Sequence, residues 1–232
     1  MSKKFKLGVV GDPIEHSLSP FIHSRFSRNE NINLNYLAYR VNNDELDIFI
    51  KEFFQDKEAK GLNITLPHKK RAALLEGKIS QEARYINAVN TIVKENDKLH
   101  LFSTDGAGFI NDIENKKFNL KNKNILIIGA GAAVESILYR VATAKPMKIT
   151  VINRTIEKAD RLIRKFGNMT KIRSEAEIDR PFDLVINGSS AGLTGDFFPE
   201  ENIPLTSKTY FYDLNYSLTE TPFCKWANEK SD

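Results

Sequence analysis

The run Ile125-Leu126-Ile127-Ile128, followed at once by Gly129-Ala130-Gly131, constrains this chain more than any other feature. Four consecutive branched apolar residues suit a strand buried on both faces, and such strands belong to parallel sheets covered by helices. The glycines end the strand without bulk, and a helix from about Ala133 to Ala144 follows. Strand, tight turn and helix open a βαβ unit. Lys148–Ile152, Asp183–Ile186 and Tyr210–Leu214 read as further strands, and Glu157–Phe166 as a helix between the first two of them.

The first half repeats the alternation. Phe5–Val10 reads as a strand closed by Gly11-Asp12-Pro13, a sharp turn signal. Pro20 suits the first position of a helix, with Ser19 as its cap. Tyr36–Val41 reads as a strand, and Asn42 or Asn43 caps a helix with apolar Leu46, Phe49, Ile50, Phe53 and Phe54. Gly61–Leu66 is strand-like, and Pro67 opens another helix. Ala88–Lys94 and Lys98–Phe102 form a hairpin around Glu95-Asn96-Asp97, and Phe109–Ile113 is helical. Residues 115–124 are polar and mark a candidate boundary. The expected architecture is α/β in two domains. Residues 1–105 form one with a mostly parallel sheet, joined by 216–232, and residues 106–215 form a Rossmann-like domain.

Charge and cysteine content narrow the class. The net charge is +4, with 34 basic residues against 30 acidic ones spread along the chain. Neither Lys69-Lys70-Arg71 nor the basic stretch 116–123 has the interleaved aromatics of a nucleic-acid surface, so no nucleic-acid partner is expected. Cys224 stands alone, which rules out an intrachain disulfide and fits a reducing compartment. No apolar run reaches the roughly 18 residues of a membrane span. The basic start is followed by Gly8 and Gly11, and reads as a first strand rather than a signal peptide. The expectation is a cytoplasmic protein with no membrane partner.

Gly129-Ala130-Gly131, with slim Ala132 and Ala133 behind it, suits a pyrophosphate cradle. Backbone N–H groups approach the phosphates there, and the helix dipole favours negative charge. The third glycine of the general fingerprint falls on Val134, so the glycines alone also fit a tight turn in a non-binding domain. The next strand ends in Asn153-Arg154-Thr155, with Lys158 close behind. An NAD site normally ends that strand with a carboxylate for the ribose 2′-OH. A guanidinium instead suits the 2′-phosphate, which favours NADP, although a surface arginine at a strand end is the plainer alternative.

Four further segments place small polar groups at element ends. They are Ser17-Leu18-Ser19-Pro20, Asn63-Ile64-Thr65-Leu66-Pro67-His68-Lys69, Ala88-Val89-Asn90-Thr91 and Ser103-Thr104-Asp105-Gly106. Ligands of parallel sheets collect beyond the carboxyl ends of strands. Hydroxyls, amides, one amine and one carboxylate at that edge suit a polyhydroxylated anion. Taken singly, Ser19 is equally a helix cap, Asn90 and Thr91 turn formers, Lys69 part of a solvated basic run, and Asp105 a turn residue.

In this order, these segments resemble the shikimate dehydrogenase family across nearly the whole chain, including residues 129–133, 153–155 and 212–222. The resemblance implies an NADP-dependent oxidoreductase that interconverts 3-dehydroshikimate and shikimate by hydride transfer, on the chorismate route to aromatic amino acids. It implies Lys69 and Asp105 as the catalytic pair. Ser17, Ser19 and Tyr216 would take the substrate carboxylate, and Asn63, Thr65, Asn90 and Asp105 the ring hydroxyls. The cofactor would lie on Gly129, Ala130, Gly131, Ala132, Ala133, Asn153, Arg154, Thr155 and Lys158, with Leu214 near the nicotinamide across an interdomain cleft. No metal is implied, and the expected assembly is a monomer or homodimer. A quinate/shikimate dehydrogenase using NAD is the alternative, as is a weakly active shikimate-binding relative.

Two departures from the family pattern stand out. The family continues for several tens of residues past the motif at Thr221-Pro222-Phe223, with a substrate-binding Gln on a returning helix, whereas this sequence stops at Asp232. The expectation is weaker substrate binding or lower stability. His68 stands where a bulky apolar residue is common, which places a titratable group beside Lys69 and suggests a shifted pH optimum.

Overall fold

The computed structural model of the chain describes residues 4–174, 180–189 and 203–230. The chain divides into two compact units, Met1–Asp105 and Gly106–Asp232.

In the first unit the elements run β1 (Lys4–Gly11), α1 (Ser19–Asn29), β2 (Asn33–Arg40), a 3-10 turn (Asn43–Glu45), α2 (Leu46–Phe53), β3 (Ala59–Ile64), α3 (Lys69–Ala72), β4 (Lys78–Ile79), α4 (Gln81–Ile86), β5 (Thr91–Glu95) and β6 (Lys98–Phe102). The sheet order is β2-β1-β3-β5-β6-β4. β2, β1 and β3 are parallel, while β5 runs antiparallel to both β3 and β6. Asn96 and Asp97 both take positive φ (47° and 58°), the conformation that a two-residue hairpin turn demands.

One face of this sheet holds the main core. Val10, Leu62, Ile64, Ile92 and Leu101 pack with Leu46, Ile50 and Phe53 of α2. These three recur at helical spacing, and burying each contributes about 1.5–3 kcal/mol. The opposite face is thinner. Val9, Ile14 and Tyr36 form a small cluster there. α1 buries none of its own residues, and its Phe21 and Phe26 stay exposed.

The second unit starts within α5 (Asp105–Asn115), and continues with β7 (Asn124–Ile128), α6 (Ala132–Thr143), β8 (Lys148–Ile152), α7 (Ile156–Phe166), β9 (Ile172–Ser174), β10 (Leu184–Asn187), β11 (Tyr210–Asp213) and α8 (Pro222–Lys230). Its sheet is parallel in the order β11-β10-β7-β8-β9. The winding reverses between β7 and β10, which is the switch point of a doubly wound sheet. Ile125, Leu126 and Ile127 are all 0% exposed, as a strand covered on both faces must be.

The sequence expectation joins residues 216–232 to the first domain. The structure instead seats α8 on the second sheet, where Phe223 packs with Leu126, Phe182 and Val185. Phe223 and Ala227, four residues apart, are its buried face.

Candidate active site

The carboxyl ends of β1, β3 and β6 are stitched together by backbone bonds. Thr65 N–H donates to Val10 O (2.9 Å), Ile64 N–H to Asn90 O (2.8 Å), Asn90 N–H to Phe102 O (3.0 Å) and Val89 N–H to Lys69 O (2.9 Å). Four segments far apart in sequence therefore share one edge of the first sheet. Asn87, with φ 55°, ends α4 in the left-handed conformation and turns the chain into Ala88-Val89-Asn90.

Lys69 and Asp105 meet at that edge. Lys69 Nζ donates to Asp105 Oδ2 at 2.6 Å, and the two side chains are 22% and 30% exposed. Asp105 is the first residue of α5, so it is a helix-start carboxylate rather than a simple turn former. Asn90 Nδ2 donates to the other oxygen, Asp105 Oδ1, at 2.6 Å and to Thr104 Oγ1 at 3.0 Å. Asn90 Oδ1 accepts from Thr104 N–H at 2.9 Å. The carboxylate is thus held from both sides, and the amine is left accessible.

The network extends across the sheet. Thr91 Oγ1 donates to Asn90 Oδ1 (2.9 Å), and Asn63 Nδ2 donates to Thr91 Oγ1 (3.3 Å). Tyr36 Oη donates to Asn63 Oδ1 at 2.8 Å. The Ser19 hydroxyl adjoins the same phenol, and burial pushes the Tyr36 group up to about 12. His23 stacks on the Tyr36 ring, with centroids 4.2 Å apart and planes 5° from parallel, and burial lowers its pKa. Sequence reasoning missed Tyr36, because an aromatic in a strand reads as core. No local signal marks its phenol as a partner of Asn63.

Most of the expected substrate residues gather here. Lys69, Asp105, Asn63, Asn90 and Ser19 are linked through the network or adjoin it. Thr65 lies just beyond β3, half-buried. Ser19 does not cap α1. The Ser17 hydroxyl instead accepts from Ser19 N–H at 3.3 Å, and the helix begins at Ser19 itself. Tyr216 belongs to the second unit and is 80% exposed.

His68 is 0% exposed and faces elsewhere than Lys69. Its Nε2 lies 2.8 Å from Val41 O, and its Nδ1 lies 3.2 Å from Asn43 Oδ1. A carbonyl oxygen can only accept, so Nε2 carries a proton. The residue pins the turn before Lys69 to the end of β2. The idea of a titratable group acting beside the amine therefore gives way to a structural anchor.

In the second unit Gly129 has φ +107°, and a Cβ there would sit 2.8 Å from the backbone of Gly188 and Ser189. Only glycine combines that conformation with that approach. At Gly131 a Cβ would meet nothing within 4 Å, so the backbone faces open space at the N-terminus of α6. Ala130 is buried, while Ala132 and Ala133 are exposed. A pyrophosphate fits such an opening. Glu135, in the first turn of α6, is turned away to Arg161 Nη2 (2.9 Å) and Lys165 Nζ (2.8 Å), so its charge does not oppose an anion. Val134, at the place of the third glycine, is accommodated by Gly188, where an added Cβ would run into Val134 Cγ2.

At the tip of β8, Asn153 Nδ2 donates to Thr155 O at 2.7 Å, and Arg154, Thr155 and Lys158 are exposed. They are placed to meet a phosphate from solvent. Leu214 follows β11, and its N–H donates to Asn187 O at 2.8 Å. The residues present fit a phosphorylated dinucleotide.

Residues 9–92 match the family model described as the shikimate dehydrogenase substrate binding domain, and residues 112–194 match that of shikimate/quinate 5-dehydrogenase. The NADP(+) shikimate dehydrogenase of Hahella chejuensis is 38% identical over 96% of this chain and 83% of its own length. That of Legionella pneumophila is 40% identical over the same shares, 96% and 83%. The crystal structure of shikimate 5-dehydrogenase from Thermus thermophilus, in complex with NADP(H) and shikimate, is 29% identical. It superposes with a TM-score of 0.86 over 97% of this chain and 84% of that one. The Lys69–Asp105 edge and the glycine turn at Gly129 thus lie in a chain that belongs to the shikimate dehydrogenase family.

Proposed function

We propose that this protein is an NADP-dependent shikimate dehydrogenase that interconverts 3-dehydroshikimate and shikimate. The observation that carries the reading is the 2.6 Å contact of Lys69 Nζ with Asp105 Oδ2 among amides and hydroxyls. Reducing a ketone adds hydride to carbon and requires one proton at oxygen. The dihydronicotinamide, when bound, supplies the hydride. Lys69 delivers the proton from its ammonium group and stabilises the developing alkoxide. Asp105 aims the amine and also accepts from a ring hydroxyl. In the reverse direction the Lys69 amine takes up the hydroxyl proton.

Asn63, Thr65 and Asn90 hold the ring hydroxyls, and Ser17, Ser19 and Tyr216 the carboxylate. The turn Gly129–Ala133 cradles the pyrophosphate. Arg154, with Asn153, Thr155 and Lys158, takes the 2′-phosphate, and Leu214 flanks the nicotinamide. The first unit is thus the substrate domain and the second the cofactor domain. The protein acts in the cytoplasm as a monomer or homodimer, on a small molecule rather than on nucleic acid or membrane. No described helix is long and apolar enough to cross a membrane.

The test is spectrophotometric reduction of NADP+ or NAD+ at 340 nm with shikimate or quinate. Fastest turnover with shikimate and NADP+ is expected. Preference for quinate with NAD+ would replace this reading with the quinate/shikimate alternative. Binding without turnover would make the protein a shikimate-binding relative.

A further inference from the structure

Asp213 closes β11, and its carboxylate gathers four donors. Oδ1 accepts from Asn187 Nδ2 at 2.9 Å, Asn215 N–H at 3.0 Å and Asn215 Nδ2 at 3.2 Å, and Oδ2 accepts from the Thr221 hydroxyl at 2.6 Å. All four donors are uncharged, so this is a knot of directed bonds rather than an ion pair.

The knot reaches both strand tips. Asn187, 1% exposed at the end of β10, uses its Oδ1 to accept from Ser189 N–H (3.1 Å) and Ser189 Oγ (2.8 Å). Asn215 Nδ2 also donates to Ser189 O at 2.9 Å. Leu214 sits inside this loop with its side chain over Gly188, where a Cβ would come within 3.1 Å of Leu214 Cδ1. The segment 213–215 therefore cannot move without breaking bonds to the tip of β10.

The strand order says what lies there. In β11-β10-β7-β8-β9 the switch point falls between β10 and β7, and a dinucleotide crosses the carboxyl ends on both sides of it. Arg154 assigns the adenosine half to the β8 side. The other half then crosses the tips of β10 and β11, where Asp213 ties the backbone.

We propose that Asp213 is a positioning residue for the nicotinamide half of the cofactor, acting through Leu214 and the β10 tip. The inference rests on the NADP reading above. Its consequence is local: adenosine-side binding is indifferent to Asp213, while binding of the whole dinucleotide is not.

The experiment compares affinities of wild type, Asp213→Ala and Asp213→Asn for NADP+ and for 2′,5′-ADP, which carries only the adenosine half, by titration calorimetry. Asp213→Ala is expected to weaken NADP+ by about tenfold, as loss of a positioning contact does, with 2′,5′-ADP unchanged. Asp213→Asn keeps a carbonyl for the N–H donors and an amide for the Thr221 oxygen, and is expected to restore most of the affinity. Should Asp213→Ala not fold, Asn215→Ala, which removes the side-chain amide bonds to Asp213 and Ser189 O but keeps the backbone N–H bond to Asp213, is expected to show the same split at about threefold. Equal weakening of both ligands would reduce Asp213 to a general structural role, and no change in either would overturn the inference. Wild type binding neither ligand would overturn the cofactor reading itself, and this assignment with it.

Discussion

Asn90 Nδ2 lies 2.6 Å from the Asp105 oxygen that Lys69 leaves free, so a single amide fixes the carboxylate against the amine. Replacing Asn90 with Ala removes that bond and the acceptor of Thr104 N–H. Turnover is expected to fall by about 10- to 100-fold, the scale of a misaimed proton transfer, while the KM for NADP+ stays unchanged. Steady-state kinetics in both substrates would show it. An equal loss in the two KM values would place Asn90 outside the chemistry.

Arg154 stands exposed at the tip of β8 with no carboxylate beside it in sequence. A charge-assisted hydrogen bond contributes about 1.5–3 kcal/mol, so Arg154→Ala is expected to lower the NADP+ over NAD+ preference in kcat/KM by about 10- to 100-fold. NAD+ kinetics should barely change. An unaltered ratio would remove Arg154 from cofactor selection.

Gly129 admits no side chain, because its φ is +107° and an added Cβ would sit 2.8 Å from the backbone of Gly188 and Ser189. Gly129→Ala is expected to cost about 1–3 kcal/mol of stability and to abolish measurable NADP+ binding. Chemical denaturation and calorimetric titration check the two parts. Wild-type affinity in this variant would mean that the turn is not the cradle.

Tyr36 gives a pH signature. Burial raises its phenol to about 12, above the ordinary value of about 10. Below pH of about 10 both folded and unfolded forms keep the proton. Between about 10 and 12 the unfolded chain ionises first, so stability falls as pH rises. Tyr36→Phe is expected to flatten this alkaline loss in melting temperature. It should also raise the KM for shikimate by a few fold through the freed Asn63 amide. Identical pH slopes for the two proteins would contradict the burial argument.

Elements written in local pattern were legible. Ile125–Ile128 needs only its own composition to declare a covered strand, and Lys148–Ile152 was readable to the residue. The site edge was legible as a set of polar groups at strand ends. What the sequence withheld depends on partners far along the chain. β4 is two residues long and exists through pairing with β6. α8 fully buries only Phe223 and Ala227, too short a pattern to say which sheet receives it. His68 reads as a neighbour of Lys69 along the chain, but its ring turns to Val41 and Asn43. Tyr36 and Asp213 look like ordinary strand residues until Asn63 and Asn187 arrive beside them.

The central claim is that the Lys69 amine, aimed by Asp105, moves the proton at the substrate oxygen. The most direct measurement is NADP+ reduction with shikimate by wild type and Lys69→Ala, with NADP+ affinity measured in parallel. The account predicts a loss in kcat of at least about 100-fold with cofactor affinity intact. Turnover by Lys69→Ala equal to wild type would contradict it.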